Sequence, residues 1–147
     1  PPNWIKEEDG DLGVEQPALI DTFDFDSPPL ITFHENGFPR EVNQDKNSKD
    51  YKKANISIGI YHLHHSKSVK SRKRIAIKIR NLVTEIDELR AASLGGAGND
   101  VQRKARLKDL AKLISEDAPY RTAARLYLKG NAKDNNQHWI QDLLNRV

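Results

Sequence analysis

Residues 66–91, SKSVKSRKRIAIKIRNLVTEIDELRA, carry the clearest structural signal in this chain. Their apolar side chains recur at steps of three and four residues, as they do along one face of an amphipathic helix. These apolar residues are Ile75, Ile79, Leu82, Val83, Ile86 and Leu89. Ser66 or Ser68 can cap the helix, because a serine oxygen accepts a hydrogen bond from an unpaired backbone N–H group. The stretch therefore predicts one long helix.

The face opposite this apolar stripe is basic. It carries Lys67, Lys70, Lys73, Arg74 and Arg80, with Ile77 as the one apolar residue among them. Acidic residues appear only past Thr84, near the helix C-terminus, where negative charge opposes the helix dipole. Helix electrostatics therefore do not explain the basic half. These basic residues predict a surface that follows a phosphate backbone, which would give affinity and salt dependence but no sequence specificity. The alternative is a solvated helix face that binds no ligand.

Charge is divided unevenly along the whole chain. The 147 residues carry a net charge of +3. Residues 1–30 hold eight acids and one base, whereas residues 46–80 hold eleven bases and one acid. Such a division favours an anionic partner for the middle of the chain.

Several classes of protein are excluded or disfavoured. Cysteine is absent, which removes disulfides, thiolate metal sites and cysteine nucleophiles. No apolar run approaches the roughly 18–20 residues that cross a bilayer, and no secretory signal pattern is present, so we expect a cytoplasmic protein without membrane contact. Phosphate-binding loops, zinc-binding helices and nucleophile elbows are absent, and the sequence predicts no catalytic residue.

Because the chain lacks methionine and begins Pro1-Pro2-Asn3, we expect a piece of a longer polypeptide.

A short hairpin is predicted upstream of the long helix. Residues 30–33 and 38–42 are its strands, and Asn36-Gly37 between them is the strongest short-range turn signal. Before the hairpin, residues 1–16 are an acidic lead-in. After it, residues 51–64 fit either a half-buried strand or a helix capped by Asp50, and periodicity does not choose between them.

Downstream of the long helix, the sequence predicts a flexible glycine-rich connector at 92–99 and three further helices. The first spans 101–116, with Asp100 as its cap; the second spans 118–129 and ends at Gly130-Asn131. The third helix, at the C-terminus, spans 135–146. Buried positions are expected on the first and last of these helices at Val101, Ala105, Leu107, Leu110, Ala111, Ile114, Trp139, Ile140, Leu143 and Leu144.

The predicted fold class is therefore mainly α, with a small N-terminal β-hairpin. We expect residues 1–50 to form the acidic lead-in and hairpin, and residues 51–147 to form a helical domain. Domains of this size bury one modest core.

Three histidines lie just before the basic helix. His62, His64 and His65 have spacings that can bind a transition metal on a strand or on a helix. A zinc site needs four ligands, and no cysteine is present to complete one. The favoured interpretation adds His64 and His65 to the nucleic-acid-binding residues, as positive charge beside Lys67 and Lys70, with no metal site.

The order of these patterns resembles the region after the catalytic core in one family of bacterial HNH nucleases. EQPALIDTFDFDSPPLITFHENG (15–37) resembles that family's acidic, proline-containing loop, strand and glycine turn. KKANISIGIYHLHHSKSVKSRK (52–73) resembles its next helix and turn, and APYRTAARLYLKG (118–130) resembles a late helix. The resemblance favours the helical interpretation of residues 51–64.

The resemblance also implies a function and partners. The family includes nuclease subunits of Septu-type and retron-type anti-phage systems, which work beside an ATPase. Its metal-binding core precedes the matching region, so the resemblance implies no cofactor in this chain and a divalent metal in the missing core. The expected role is binding of duplex DNA and docking of a partner. A non-catalytic adaptor anchored by Trp139 and a stand-alone nucleic-acid-binding protein are the alternatives.

Overall fold

The computed structural model describes residues 29–92, 98–135 and 138–147, and the backbone of two short strands before them. These strands, β1 (Trp4–Ile5) and β2 (Gln16–Pro17), pair antiparallel. The rest of the acidic lead-in and the glycines within 93–97 lie outside the described residues.

The part of the chain that the structure describes is mainly α, with a small hairpin, which confirms the predicted fold class. The hairpin consists of β3 (Ile31–Phe33) and β4 (Pro39–Glu41). The described helices are α1 (Lys49–Ile60), α2 (Ser66–Ala92), α3 (Gly98–Ile114), α4 (Arg121–Asn135) and α5 (His138–Arg146). Two compact units result: the first holds the strands and α1, and the second holds the turn residues Glu35–Gly37 and α2 to α5.

In the first unit, β3 pairs with β4 so that Ile31 lies opposite Glu41 and Phe33 lies opposite Pro39. Helix α1 packs against β4, and the Asn55 side-chain amide donates a hydrogen bond to Glu41 Oε1 (2.9 Å). The buried residues of α1 are Ala54, Ser57 and Ile58. The hairpin and the helix therefore support each other, which an isolated two-stranded hairpin needs in water.

Residues 51–60 are helical, and α1 begins before them. Ser48 is the N-cap, since its Oγ accepts a hydrogen bond from the Tyr51 backbone N–H (3.0 Å). The expectation that Asp50 caps this helix is wrong, because Asp50 lies within the first helical turn. There its negative carboxylate lies near the positive end of the helix dipole, which is a stabilising arrangement.

The C-terminus of α1 is a Schellman motif. The His62 N–H bonds to Gly59 O (3.2 Å), and the Leu63 N–H bonds to Ile58 O (3.1 Å). His62 has a φ of +51°, at the position where helices most often place glycine. The histidines therefore lie in the turn after α1, and neither of the predicted spacings, on a strand or on a helix, describes them.

Two boundaries in the second unit differ from the sequence predictions. Helix α3 begins at Gly98, so Asp100 lies in its first turn and pairs with Arg103 (3.0 Å) instead of capping it. Helix α4 begins at Arg121 and continues through Gly130. A glycine costs a helix only about 1 kcal/mol, and the packing of α4 against α3 and α5 offsets this.

Helices α2 to α5 bury one set of apolar side chains. Its largest fully buried members are Ile79, Ile86, Leu110, Ile114, Leu128 and Ile140. The predicted stripe of α2 is confirmed, with Ile75, Leu82 and Leu89 half-buried at its edges. The stripe predicted for α3 is wrong at Val101, which is 72% exposed, and at Ala105. Only the C-terminal half of α3 supplies buried side chains, at Leu110 and Ile114.

We expect alkaline pH to destabilise the second unit through Tyr127. This side chain is buried, and burial raises its pKa to about 12. The pKa of tyrosine in an unfolded chain is about 10. The burial of the neutral phenol therefore contributes fully to the free energy of unfolding below about pH 10, and this contribution is lost as the pH rises through about 12. The full loss approaches about 3 kcal/mol, because each pKa unit between about 10 and about 12 corresponds to about 1.4 kcal/mol.

Urea unfolding followed by circular dichroism between about pH 9 and about pH 12 measures this loss. Tyr127→Phe, which has no ionisable group, should flatten the alkaline decline in stability. A decline of equal steepness in wild type and variant would assign it to other groups.

Candidate nucleic-acid interface

Four exposed cations form a line along α2, which we call the basic row: Lys67, Lys70, Arg74 and Lys78. At 3.6 residues per turn, they fall within an arc of about 80°. The buried residues of α2 lie on the opposite side of the helix: Val69, Arg72, Ala76, Ile79, Val83 and Ile86. Burial of one face thus orients the basic row towards solvent.

Nothing in the helix itself stabilises this row. Among residues 29–92, 98–135 and 138–147, no acidic side chain forms an ion pair with any of its four members. Neighbouring members are three or four residues apart, and like charges at that spacing destabilise a helix by a few tenths of a kcal/mol. The row is therefore a cost to local stability and is available to an anion.

Sequence reasoning missed Lys78. This residue lies between Ile77 and Ile79, in a stretch that is dominated by its apolar periodicity. The signal that identifies it is its spacing of four residues from Arg74, which places both on the same face. Its addition extends the basic row by one further helical turn.

Two of the predicted cations, Lys73 and Arg80, lie beside the row on one flank of α2. Both are exposed. Arg80 Nη1 forms an ion pair with Glu35 Oε2 at 3.1 Å. Exposed pairs of this kind contribute at most about 1 kcal/mol, so Arg80 can exchange this carboxylate for another anion.

Arg72 is the basic residue of this region that does not face solvent. It is 2% exposed, and its Nε donates a hydrogen bond to the Gly37 carbonyl oxygen (2.8 Å). Its guanidinium carbon lies 5.9 Å from the centre of the Tyr120 ring, and burial lowers its pKa. Arg72 thus ties the turn residues Glu35–Gly37 and Tyr120 to α2.

Gly37 makes this contact possible because its backbone lies directly against α2. Its φ is +88°, and a Cβ atom there would overlap the carbonyl oxygen of Val69. Glycine alone combines that φ with such a close approach. The Asn36-Gly37 signal therefore has a second role besides turning the hairpin.

Two of the acids near the C-terminus of α2, Glu85 and Asp87, have tertiary partners. Arg106 Nε donates to Glu85 Oε1 at 2.8 Å, and its Nη1 lies 3.1 Å from Asp109 Oδ2. The Trp139 Nε1–H donates to Asp87 Oδ1 at 3.0 Å. These contacts explain acids that helix electrostatics disfavour, and they engage Trp139 within the second unit.

The predicted site residues His64 and His65 lie in the turn after α1. With His62, Ile58 and Gly59 they line an open depression of about 270 Å³ in the first unit. All three histidine side chains are exposed. Within the described ranges, no group of three or more His, Cys, Asp or Glu side chains is arranged to hold a metal ion.

None of the described helices is both long enough and apolar enough to cross a lipid bilayer. Comparisons of the chain with protein-family models, with curated proteins and with solved structures give no match.

Proposed function

We propose that this chain is the C-terminal, DNA-backbone-binding and partner-docking part of a bacterial HNH-type DNA endonuclease that acts in anti-phage defence in the cytoplasm. The basic row of α2 is the observation that carries the DNA-binding part. The order of the sequence motifs supports the nuclease parent. In this proposal the histidine-bearing core and its divalent metal belong to the parent, outside these residues.

The size and charge of the basic row suit duplex DNA. From Lys67 to Lys78 the helix rises about 16 Å, a length over which a duplex carries about nine phosphate charges. Each lysine or arginine that contacts a phosphate releases condensed counterions, and this release drives binding at moderate salt. Lys73 and Arg80 widen the cationic surface on one side, and His64 and His65 supply further donors in the first unit.

An adaptor that binds an ATPase or another protein is the second candidate. It is favoured by two exposed apolar side chains on α1, Ile56 and Ile60, which are four residues apart and therefore adjacent. Trp139 is less suited to anchor a partner, because its N–H is bonded to Asp87. An adaptor of this kind would keep its partner at high salt, whereas a complex with DNA would dissociate.

We expect the full 147-residue chain to bind duplex DNA with an affinity that falls linearly with salt on a logarithmic plot. Four phosphate contacts give a slope of about −3.6. Lys78→Ala should reduce the size of the slope by about 1 and weaken binding equally for all sequences. Fluorescence anisotropy titrations from about 50 to about 200 mM salt measure both quantities.

Lys108→Ala is the matched control, since Lys108 is also an exposed helical lysine but lies on α3. It should leave the slope unchanged. Equal slopes for wild type and Lys78→Ala, or equal changes in both variants, would contradict the proposed role of the basic row.

A further inference from the structure

Two uncharged residues lie exposed among the cations of α2. Ile77 is 38% exposed, and Asn81, four residues later, is also exposed. Asparagine is one of the poorer helix formers, and Ile77 is only partly buried. Helix propensity and core packing alone therefore do not explain this pair.

Their position on the helix is central. From Lys67 to Asn81, the exposed residues of α2 span an arc of about 160°. Ile77, Lys70 and Asn81 lie near the middle of that arc. Cations lie on both sides of them: Lys67, Arg74 and Lys78 on one side, and Lys73 and Arg80 on the other.

A helix with this arrangement matches the DNA major groove. The groove is about 12 Å wide, and an α-helix with its side chains is about 10–12 Å across. Of the residues at the middle of the exposed arc, Ile77 and Asn81 would face base edges. The long Lys70 side chain would reach back to a phosphate, and the cations on both sides would face the two phosphate backbones. The major groove of duplex RNA is too deep and narrow for side chains to read, so the arrangement favours DNA.

We propose, on the basis of the DNA-binding function proposed above, that α2 lies in the major groove and reads an A·T-containing sequence through Asn81 and Ile77. An asparagine amide matches the N7 and N6 groups of adenine, and an apolar side chain contacts the thymine methyl group. The two residues are about 6 Å apart along the helix axis, so they reach bases about two steps apart. Asn81 and Ile77 would thus add a sequence preference that phosphate contacts alone do not provide.

Selection from a pool of randomised DNA duplexes tests this proposal, with the full chain as bait. We expect an enriched motif that contains adenine and thymine within about two base pairs. Asn81→Ala should then lower the preference for the enriched duplex over its scrambled form by about 10-fold. It should leave binding to the scrambled duplex and the salt slope unchanged. Duplex RNA of matching sequence should compete weakly.

Gln102→Ala is the matched control, because Gln102 is an exposed amide on α3; it should keep the preference. A pool without an enriched motif would overturn the sequence reading, as would an Asn81→Ala variant that keeps the full preference. The DNA-backbone function would survive either result. Absence of salt-dependent binding to any duplex would instead overturn the proposed function and this inference together.

Discussion

Changing Lys70, Arg74 and Lys78 together to glutamate is expected to lower the affinity for duplex DNA by about 500-fold at about 0.1 M salt. Affinity falls with salt concentration to a power of about 0.9 for each phosphate contact. At about 0.1 M salt, each contact therefore strengthens binding by a factor of about 8 relative to about 1 M salt, and the loss of three contacts multiplies to about 500. Repulsion between the new carboxylates and DNA adds to this loss. Anisotropy titration of a labelled duplex measures the change.

The control for this variant is a second triple reversal on α3. Lys104, Lys108 and Lys112 are exposed, have the same four-residue spacing and undergo the same change in charge when replaced by glutamate. This control should retain most of the wild-type affinity. A similar loss in both triple variants would show that net charge, and not the basic row, determines binding.

Loss of binding in the α2 variant should not come from unfolding. Lys70, Arg74 and Lys78 repel one another in the native helix, and a glutamate at position 70 lies nearer the positive end of the helix dipole. We therefore expect circular dichroism to give unchanged helicity. An unfolded variant would mean that the row also has a structural role.

Gly37→Ala is expected to lower the free energy of unfolding by about 3 kcal/mol. A non-glycine residue at a φ of +88° is strained, by about 1–2 kcal/mol. The added Cβ would also overlap the Val69 carbonyl oxygen, so the turn must move away from α2. That movement breaks the bond from buried Arg72 to the Gly37 carbonyl, and a hydrogen bond from a charged group contributes about 1.5–3 kcal/mol.

Urea unfolding of the variant gives this value. Gly130→Ala is the control, because Gly130 lies within α4 and a Cβ there meets nothing within 4 Å. Alanine is the better helix former, so this control should be more stable than wild type by about 0.5–1 kcal/mol. A Gly37→Ala variant as stable as wild type would contradict the close approach of the turn to α2.

Local patterns in the sequence predicted the main elements of the fold. The apolar period of three to four residues predicted α2, and Asn36-Gly37 predicted the hairpin between β3 and β4. Both signals arise from residues within a few positions of one another. Boundaries were less accurate, because Ser48 and Asp50 are both good capping residues and only the path of the backbone decides between them.

The candidate site was predicted in part. Periodicity located Lys67, Lys70 and Arg74 on the exposed face of α2 and left Arg72 out of that face, but it could not identify a partner for Arg72. Arg72 is buried because the turn residues Glu35–Gly37 offer it a carbonyl acceptor. That partner lies 35 positions away in the sequence, which no helical pattern reveals.

By itself, the sequence determined that α2 is a long helix with an apolar face and a basic face, because helix periodicity is a property of neighbouring residues. Tertiary structure decided which side chains of that helix have partners. It pairs Arg80 with Glu35, joins Asp87 to Trp139, and leaves Val101 exposed on α3. These outcomes depend on which distant segments pack together, and packing is settled by the shape and burial of the whole unit.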